Sequence, residues 1–220
     1  MRTLLILLVA ACAIAHAGQE GQRQVTWKID NLSSIDGHRT TVLGAPKVIA
    51  TEGGKAVEFD GKDDGLIVPV LALAGTTAFT LEIVFRPDAG GPREQRFFHL
   101  QEDGTENRVL VETRLTGDGR WYLDTFIRSG DVNQTLASPA RLHPVGKWHH
   151  MALVFDGREM RHYVNGTKEL WARLASFTPL GKGKTSIGVR MNRVYWFKGA
   201  IRTARVTRRV LRPGEFLKVK

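Results

Sequence analysis

Apolar and polar residues alternate with period two along Phe79-Thr80-Leu81-Glu82-Ile83-Val84-Phe85, and Pro87 closes the run, which predicts a half-buried strand ending in a turn. Gly65 to Val70, Gln95 to Gln101, Arg108 to Leu115, Trp121 to Arg128, Trp148 to Asp156, Met160 to Val164 and Thr185 to Val189 read the same way. Between them stand Asp60-Gly61, Gly90-Gly91-Pro92, Asp103-Gly104, Gly117-Asp118-Gly119, Asp156-Gly157 and Asn165-Gly166, which are turn and hairpin signals. Many short strands at this spacing predict an all-β, antiparallel sandwich or barrel. No long 3.6-residue apolar period follows the amino terminus; a helical turn near Arg212 to Phe216 is the one helical expectation.

The alternation also says which side chains face outward. With Phe98, Leu100, Val109, Val111, Leu115, Trp121, Leu123 and Ile127 in the core, the outward set is His99, Gln101, Glu112, Arg114, Tyr122, Asp124, Phe126 and Arg128. His162, Arg190, Asn192 and Arg193 are expected to extend it. Such a surface suits a sugar: charged groups hydrogen-bond hydroxyls or pair with acidic sugars, while Tyr122, Phe126 or Trp196 stacks on a pyranose face. The competing reading is an ordinary solvated face, in which Glu112 and Arg114 form a surface ion pair worth under about 1 kcal/mol. A third reading is a polysaccharide lyase, with Arg and His neutralising a uronate carboxylate while His or Tyr removes the C5 proton.

The amino terminus changes the picture of where the protein works. An apolar run from Leu4 to Ala15 ends in Ala15-His16-Ala17 before Gly18, the pattern of a signal peptide over residues 1–17. A short lead over 18–24 and one domain over 25–219 follow, which implies a secreted or periplasmic protein. The run is shorter than the roughly 20 residues of a membrane span. Val9-Ala10-Ala11-Cys12 also fits a lipoprotein signal, so anchoring through Cys12 is the alternative. Cys12 is the only cysteine, so cleavage after Ala17 leaves a domain that must rely on its core instead of disulfides. Net charge is +10 with a pI near 10.1, which favours anionic polysaccharide, lipid or cell-wall polymer by long-range attraction. No nucleic-acid motif accompanies the charge.

Several stretches carry a resemblance. Ala56-Val57-Glu58-Phe59-Asp60-Gly61, Phe79 to Pro87, Trp148-His149-His150-Met151-Ala152-Leu153-Val154-Phe155-Asp156-Gly157 with His162-Tyr163-Val164-Asn165-Gly166, and Phe197-Lys198-Gly199-Ala200-Ile201 resemble laminin-G-like jelly-roll domains of the concanavalin A-like lectin/glucanase superfamily. The resemblance runs from about Val25 to Val219 and implies two curved antiparallel sheets whose concave face or rim loops meet a carbohydrate or a protein, such as a cell-surface or matrix protein. It also implies calcium as a cofactor to be tested, with Asp63-Asp64 beside the Asp60-Gly61 turn as oxygen ligands. Arg202-Thr203-Ala204-Arg205 stands where the family often has an acidic residue, which weakens that ligand set.

The catalytic motifs fail on geometry. Glu58-Phe59-Asp60-Gly61-Lys62-Asp63 is similar to the signature of laminarinase-like hydrolases, but its last acid falls in a turn and not on the strand. Gly181-Lys182-Gly183-Lys184-Thr185-Ser186 lacks the first glycine of a phosphate loop and precedes a strand. Adjacent His149 and His150 point to opposite faces and cannot share a metal. The expected function is therefore a secreted carbohydrate-binding lectin or adhesion module for an acidic polysaccharide, with a polysaccharide lyase or glycoside hydrolase as alternative. Trp148, opening the hairpin strand, is expected in the core.

Overall fold

The computed structural model describes residues 24–219; the expected leader, Cys12 and residues 18–23 of the lead lie outside the described residues. In chain order the strands are β1 (Gln24–Lys28), β2 (Ser34–Ile35), β3 (His38–Arg39), β4 (Thr41–Leu43), β5 (Lys47–Thr51), β6 (Gly54–Asp60), β7 (Gly65–Val68), β8 (Phe79–Pro87), β9 (Glu94–Glu102), β10 (Arg108–Leu115), β11 (Arg120–Ser129), β12 (Val132–Ala137), β13 (His143–Pro144), β14 (His149–Phe155), β15 (Glu159–Val164), β16 (Thr167–Arg173), β17 (Gly183–Ile187) and β18 (Lys198–Thr207). A 3-10 turn at Pro213–Glu215 falls where the helical turn was expected.

Two eight-stranded sheets stack face to face. The first runs β16-β15-β14-β8-β18-β6-β5, with β1 also on β18; the second runs β12-β11-β10-β9-β17-β7-β4, with β13 also on β11. Their strands pair antiparallel, so alternate side chains enter the space between the sheets. Phe85 of β8 stacks on Phe97 of β9 at 4.5 Å between ring centroids, and Trp121 of β11 meets Phe85 edge-on at 5.2 Å. These contacts join the sheets in a disulfide-free core, where burial of each large apolar side chain contributes about 1.5–3 kcal/mol.

The register expected from alternation holds: Phe98, Leu100, Val109, Val111, Trp121, Leu123 and Ile127 are all buried. The strand expected at Thr185 to Val189 ends earlier, at Ile187, because Gly188 turns the chain at φ +82°. A Cβ there would meet the Phe59 ring at 2.4 Å, so the turn and the close approach both require glycine.

Trp148 corrects the core expectation. It lies just before β14 and is only half-buried, with the Arg86 and Arg202 guanidinium centres 5.8 and 5.2 Å from its indole. The indoles buried in the core are Trp27 and Trp121. The neighbouring histidines diverge as strand parity requires. His149 enters the core against Trp121 and Phe85, while His150 faces out and pairs with Glu82.

The outer face of the first sheet is covered by the chain's own end. Leu211 and Phe216 pack on Ala152, Val154 and Tyr163. Beneath them the fully buried Glu82 carboxylate accepts hydrogen bonds from His150 Nε2, Arg205 Nε and the Leu217 backbone N–H at 3.0, 2.5 and 2.7 Å. On the outer face of the second sheet the cover is partial: Tyr195 lies over the Arg96 guanidinium at 3.7 Å and the Met191 N–H reaches His99, both at β9.

A charged groove on the second sheet

Cross-strand pairing arranges the outer face of the second sheet in rows. Arg114 stands between Tyr122 and Glu94, Glu112 between Asp124 and Arg96, Leu110 between Phe126 and His99, and Arg108 between Arg128 and Gln101. A bulge on β9 decides the second row. Val111 pairs with Phe98 and Glu112 with Arg96, so Phe97 is the extra residue. Phe97 and Phe98 both enter the core, and Arg96, which strict alternation would point inward, joins the outer face.

Arg96, Arg108, Leu110, Glu112, Arg114, Asp124, Phe126, Thr135 and Arg190 line a cavity of about 180 Å³. Arg114 donates from Nε to Asp124 Oδ2 at 2.9 Å, with Nη2 2.8 Å from the same oxygen and Nη1 2.5 Å from Glu94 Oε1. Arg96 Nε lies 3.0 Å from Glu112 Oε1. Arg108 lies over the Phe126 ring, 4.8 Å from its centre, and donates to Glu106 at the rim.

This face is no ordinary solvated surface. Glu112 and Asp124 are each only 3% exposed, and burial pushes both carboxyls above their usual range while the arginines pull back. Burial pushes Arg108 down, and the Arg190 charge adds to it. Most telling, Arg96 Nη1, Arg108 Nε and Asp124 Oδ1 are buried without a hydrogen-bond partner among the described residues, Glu112 Oε2 has only a long 3.3 Å ion-pair contact with Arg114 Nη2, and all four belong to side chains lining this cavity. Unpaired buried groups cost about 1–3 kcal/mol each, a cost that a polar ligand offsets when it binds.

The structure brings Glu112, Arg114, Asp124, Phe126 and Arg190 together as expected. Tyr122 opens instead into a neighbouring cleft of about 820 Å³, walled by Gly90, Gly91, Arg93, Gly117 and Gly119. Arg128 flanks the cavity beside Arg108, with its Nε on the Gly130 carbonyl. His99 faces outward but is fully buried: the Met191 backbone N–H donates to its Nδ1 at 3.0 Å, and burial, aided by the charge of Arg190, lowers its pKa to about 3.

His162 is a correction. It points between the sheets, where its Nδ1 lies 3.1 Å from Thr125 Oγ1, because Leu153 and Leu170 flank it on an inward-facing row. It cannot join the groove.

The oxygen ligands suggested for calcium do converge. Asp60, Asp63 and Asp64 bring ligand atoms within 4.8 Å of one another. An all-oxygen set suits a hard cation. Much of its capacity already serves the turn, since Asp64 accepts the Ala45 and Asp60 N–H groups and Asp60 accepts those of Lys62 and Asp63. Asp60 and Asp63 are the residues that would hold such an ion from the solvent side. The Gly181 loop is occupied by Glu102, whose carboxylate accepts the Gly181 N–H, so an anion finds no place there.

A family model described as the concanavalin A-like lectin/glucanases superfamily, of the laminin G type, matches residues 60–215. No curated protein matches the chain. Among solved structures the fold is similar to domain 4 of AbnA, a GH43 extracellular arabinanase from Geobacillus stearothermophilus, in complex with arabinotriose, at 18% identity and TM-score 0.63, covering 86% of this chain and 94% of that one. It is also similar to the receptor-binding domain of botulinum neurotoxin C/D mosaic serotype, at 11% identity and TM-score 0.64, covering 88% of this chain and 49% of that one. A heptameric SAP-like pentraxin from Limulus polyphemus matches at 16% identity and TM-score 0.58, covering 72% of this chain and 77% of that one. At these identities the structures speak to the fold alone, and with the family match they show that the chain belongs to the concanavalin A-like lectin/glucanases superfamily.

Proposed function

We propose that the chain is an exported carbohydrate-binding or adhesion module whose groove on the second sheet takes an acidic polysaccharide. The carrying observation is the cavity itself, in which four arginines face two carboxylates and buried donors and acceptors are left without partners. Arg114 and Arg96 are held by Glu94, Glu112 and Asp124. Arg190 has no ion pair among the described residues, so the Arg108, Arg128 and Arg190 end carries the surplus positive charge that a uronate carboxylate or a sulfate would meet. Phe126 and Leu110 supply the apolar floor for a sugar ring. The arabinotriose complex of a domain with this fold supports glycan binding, and the Ala15-His16-Ala17 pattern supports export.

Binding fits this geometry better than cleavage. The Met191 N–H on Nδ1 leaves the His99 proton on Nε2, which makes the imidazole a donor and not a base. Glu112 and Asp124 share Arg114 between them, an arrangement that engages both carboxyls in ion pairs within the cavity. Calorimetric titration with a polyuronate, a sulfated glycan and a neutral glucan tests the reading. Binding to an acidic polymer that weakens with salt and with Arg190→Ala is the expected result. Equal binding to all three polymers, or to none, would remove the acidic-glycan assignment and favour a protein partner.

A further inference from the structure

A further cavity, of about 370 Å³, lies on the same outer face beyond the groove, and Ile67, Gln101, Lys184, Met191 and Arg193 are among its walls. Sheet register joins it to the groove. Arg128 pairs with Arg108, Arg108 with Gln101, and Gln101 with Lys184, so four outward side chains form one row across β11, β10, β9 and β17. Arg108 lines the groove, whereas Gln101 and Lys184 line the further cavity. Lys184 is exposed, while the next residue, Thr185, is buried, as the parity of the row requires.

One loop gives each cavity an arginine. The Arg193 N–H donates to the Arg190 carbonyl at 2.8 Å, which closes a turn, and the Met191 N–H is fixed on His99 Nδ1. Arg190 thereby lines the groove and Arg193 the further cavity. Arg193 holds φ +60°, a left-handed conformation uncommon for any residue but glycine. Arg190, Arg193 and Lys184 form no ion pair among the described residues. The acids nearby leave a surplus of cations. Glu106 meets Arg108 and Arg128 at the rim, and Glu102 is engaged by Thr105, Asn107 and the Gly181 N–H, which leaves Asp103 as the counter-charge in the further cavity.

We propose that a polyuronate chain crosses the second sheet along this row, at right angles to the strands. One carboxylate sits at the Arg108 and Arg190 end of the groove, and a later one sits between Lys184 and Arg193. The proposal rests on the acidic-glycan reading of the groove and adds a path, a length requirement and two contacts. Adjacent strands stand about 4.8 Å apart, so the row from Arg128 to Lys184 spans about 14 Å. The strand spacing is close to the rise of one sugar in an extended chain, so repeating carboxylates meet repeating cations, whereas an isolated anion engages one end only. Between the charged positions, Gln101 Nε2 donates to the Thr105 carbonyl, which leaves its amide oxygen to accept from a sugar hydroxyl. Ile67 and Met191 give the sugar ring an apolar contact.

Calorimetric titration of the protein with a diuronate and a hexauronate, beside a single-stranded oligonucleotide of the same charge, tests the path. The hexamer should bind at least about tenfold more tightly than the dimer, because its second contact is made within one chain. Lys184→Ala and Arg193→Asn should each weaken the hexamer about fivefold, the size of an exposed ion pair, and leave the dimer unchanged. Asparagine tolerates the left-handed backbone, so both variants should melt with the parent. Dimer and hexamer binding alike, or hexamer affinity unaltered in both variants, overturns the path and leaves the groove reading standing. No binding of either uronate overturns both. Equal binding of the oligonucleotide overturns the sugar chain as occupant and gives the row to a phosphate polymer.

Discussion

The two outer faces of the sandwich both place charged side chains out of water, and they differ in whether those charges are satisfied. On the first sheet, both oxygens of Glu82 are engaged, by His150, Arg205 and the Leu217 N–H, and Leu211 and Phe216 close over the face. On the second sheet, Glu112, Asp124, Arg96 and Arg108 pair in part and keep buried atoms without partners. A satisfied buried network holds a structure together. An incompletely satisfied one, in a cavity open to solvent, is poised for a ligand that completes it.

The largest effect that tests this contrast is on stability. Glu82→Ala leaves Arg205 and the Leu217 N–H without their acceptor and should cost about 3–5 kcal/mol in denaturant unfolding, with the carboxyl-terminal segment released. Trp121→Ala should cost a similar 3–5 kcal/mol by cavity formation, and Trp148→Ala distinctly less, since that indole is only half-buried. Equal losses for the two tryptophans would contradict the packing described.

A smaller effect is expected at the groove, and in binding instead of folding. Arg190→Ala should weaken an acidic glycan about tenfold, the size of one charge-assisted hydrogen bond, with Tm nearly unchanged. Phe126→Ala should weaken it in a salt-independent way, because the lost contact is apolar on one side and the Arg108 platform on the other. A groove variant that melts early without losing affinity would put the two faces in the same class.

Acid provides a further test. His99 and His162 have folded pKa values lowered from 6.5 to about 3, so the unfolded chain takes up protons that the folded chain refuses. Their contribution to stability is complete above about 6.5 and is lost as pH falls through the window toward 3. Tm should drop across that window, and His99→Gln should flatten the drop. The smallest effect is expected from chelation of calcium: the Asp60 turn already carries its own backbone hydrogen bonds, so Tm should move little and glycan affinity in the groove not at all.

Period-two patterning was sufficient to find the central strands, because each half-buried strand must alternate. Arg108–Leu115 was legible to the residue, as was the inward set on β9, β10 and β11; β8 starts at Phe79 as expected but runs on through Pro87, where a turn was expected, and is buried on both faces because the chain's end covers its outer side. From the same parity came Glu112, Arg114, Asp124 and Phe126 as neighbours on one face. Arg108 follows from that parity too, since Val109 and Val111 face inward. Arg96 does not: a single bulged residue, Phe97, reverses the alternation, and nothing in Arg96-Phe97-Phe98 announces it. His162 went to the wrong side for a related reason. Whether a polar residue in an apolar-rich strand faces water or the core is settled by its partners on other strands, here Thr125 and Glu169, the latter turned inward by a second bulge.

What the sequence determined by itself is therefore local: strand period, turn positions, the inward rows and the excess of positive charge, each a consequence of backbone geometry or composition. What only the tertiary structure decided is which residues from distant strands meet. The closed face over Glu82, the unsatisfied cavity around Arg114 and the row from Arg128 to Lys184 each join strands far apart in the chain. Their chemistry depends on sheet register and bulges, and a one-residue shift in either moves a side chain from solvent to core.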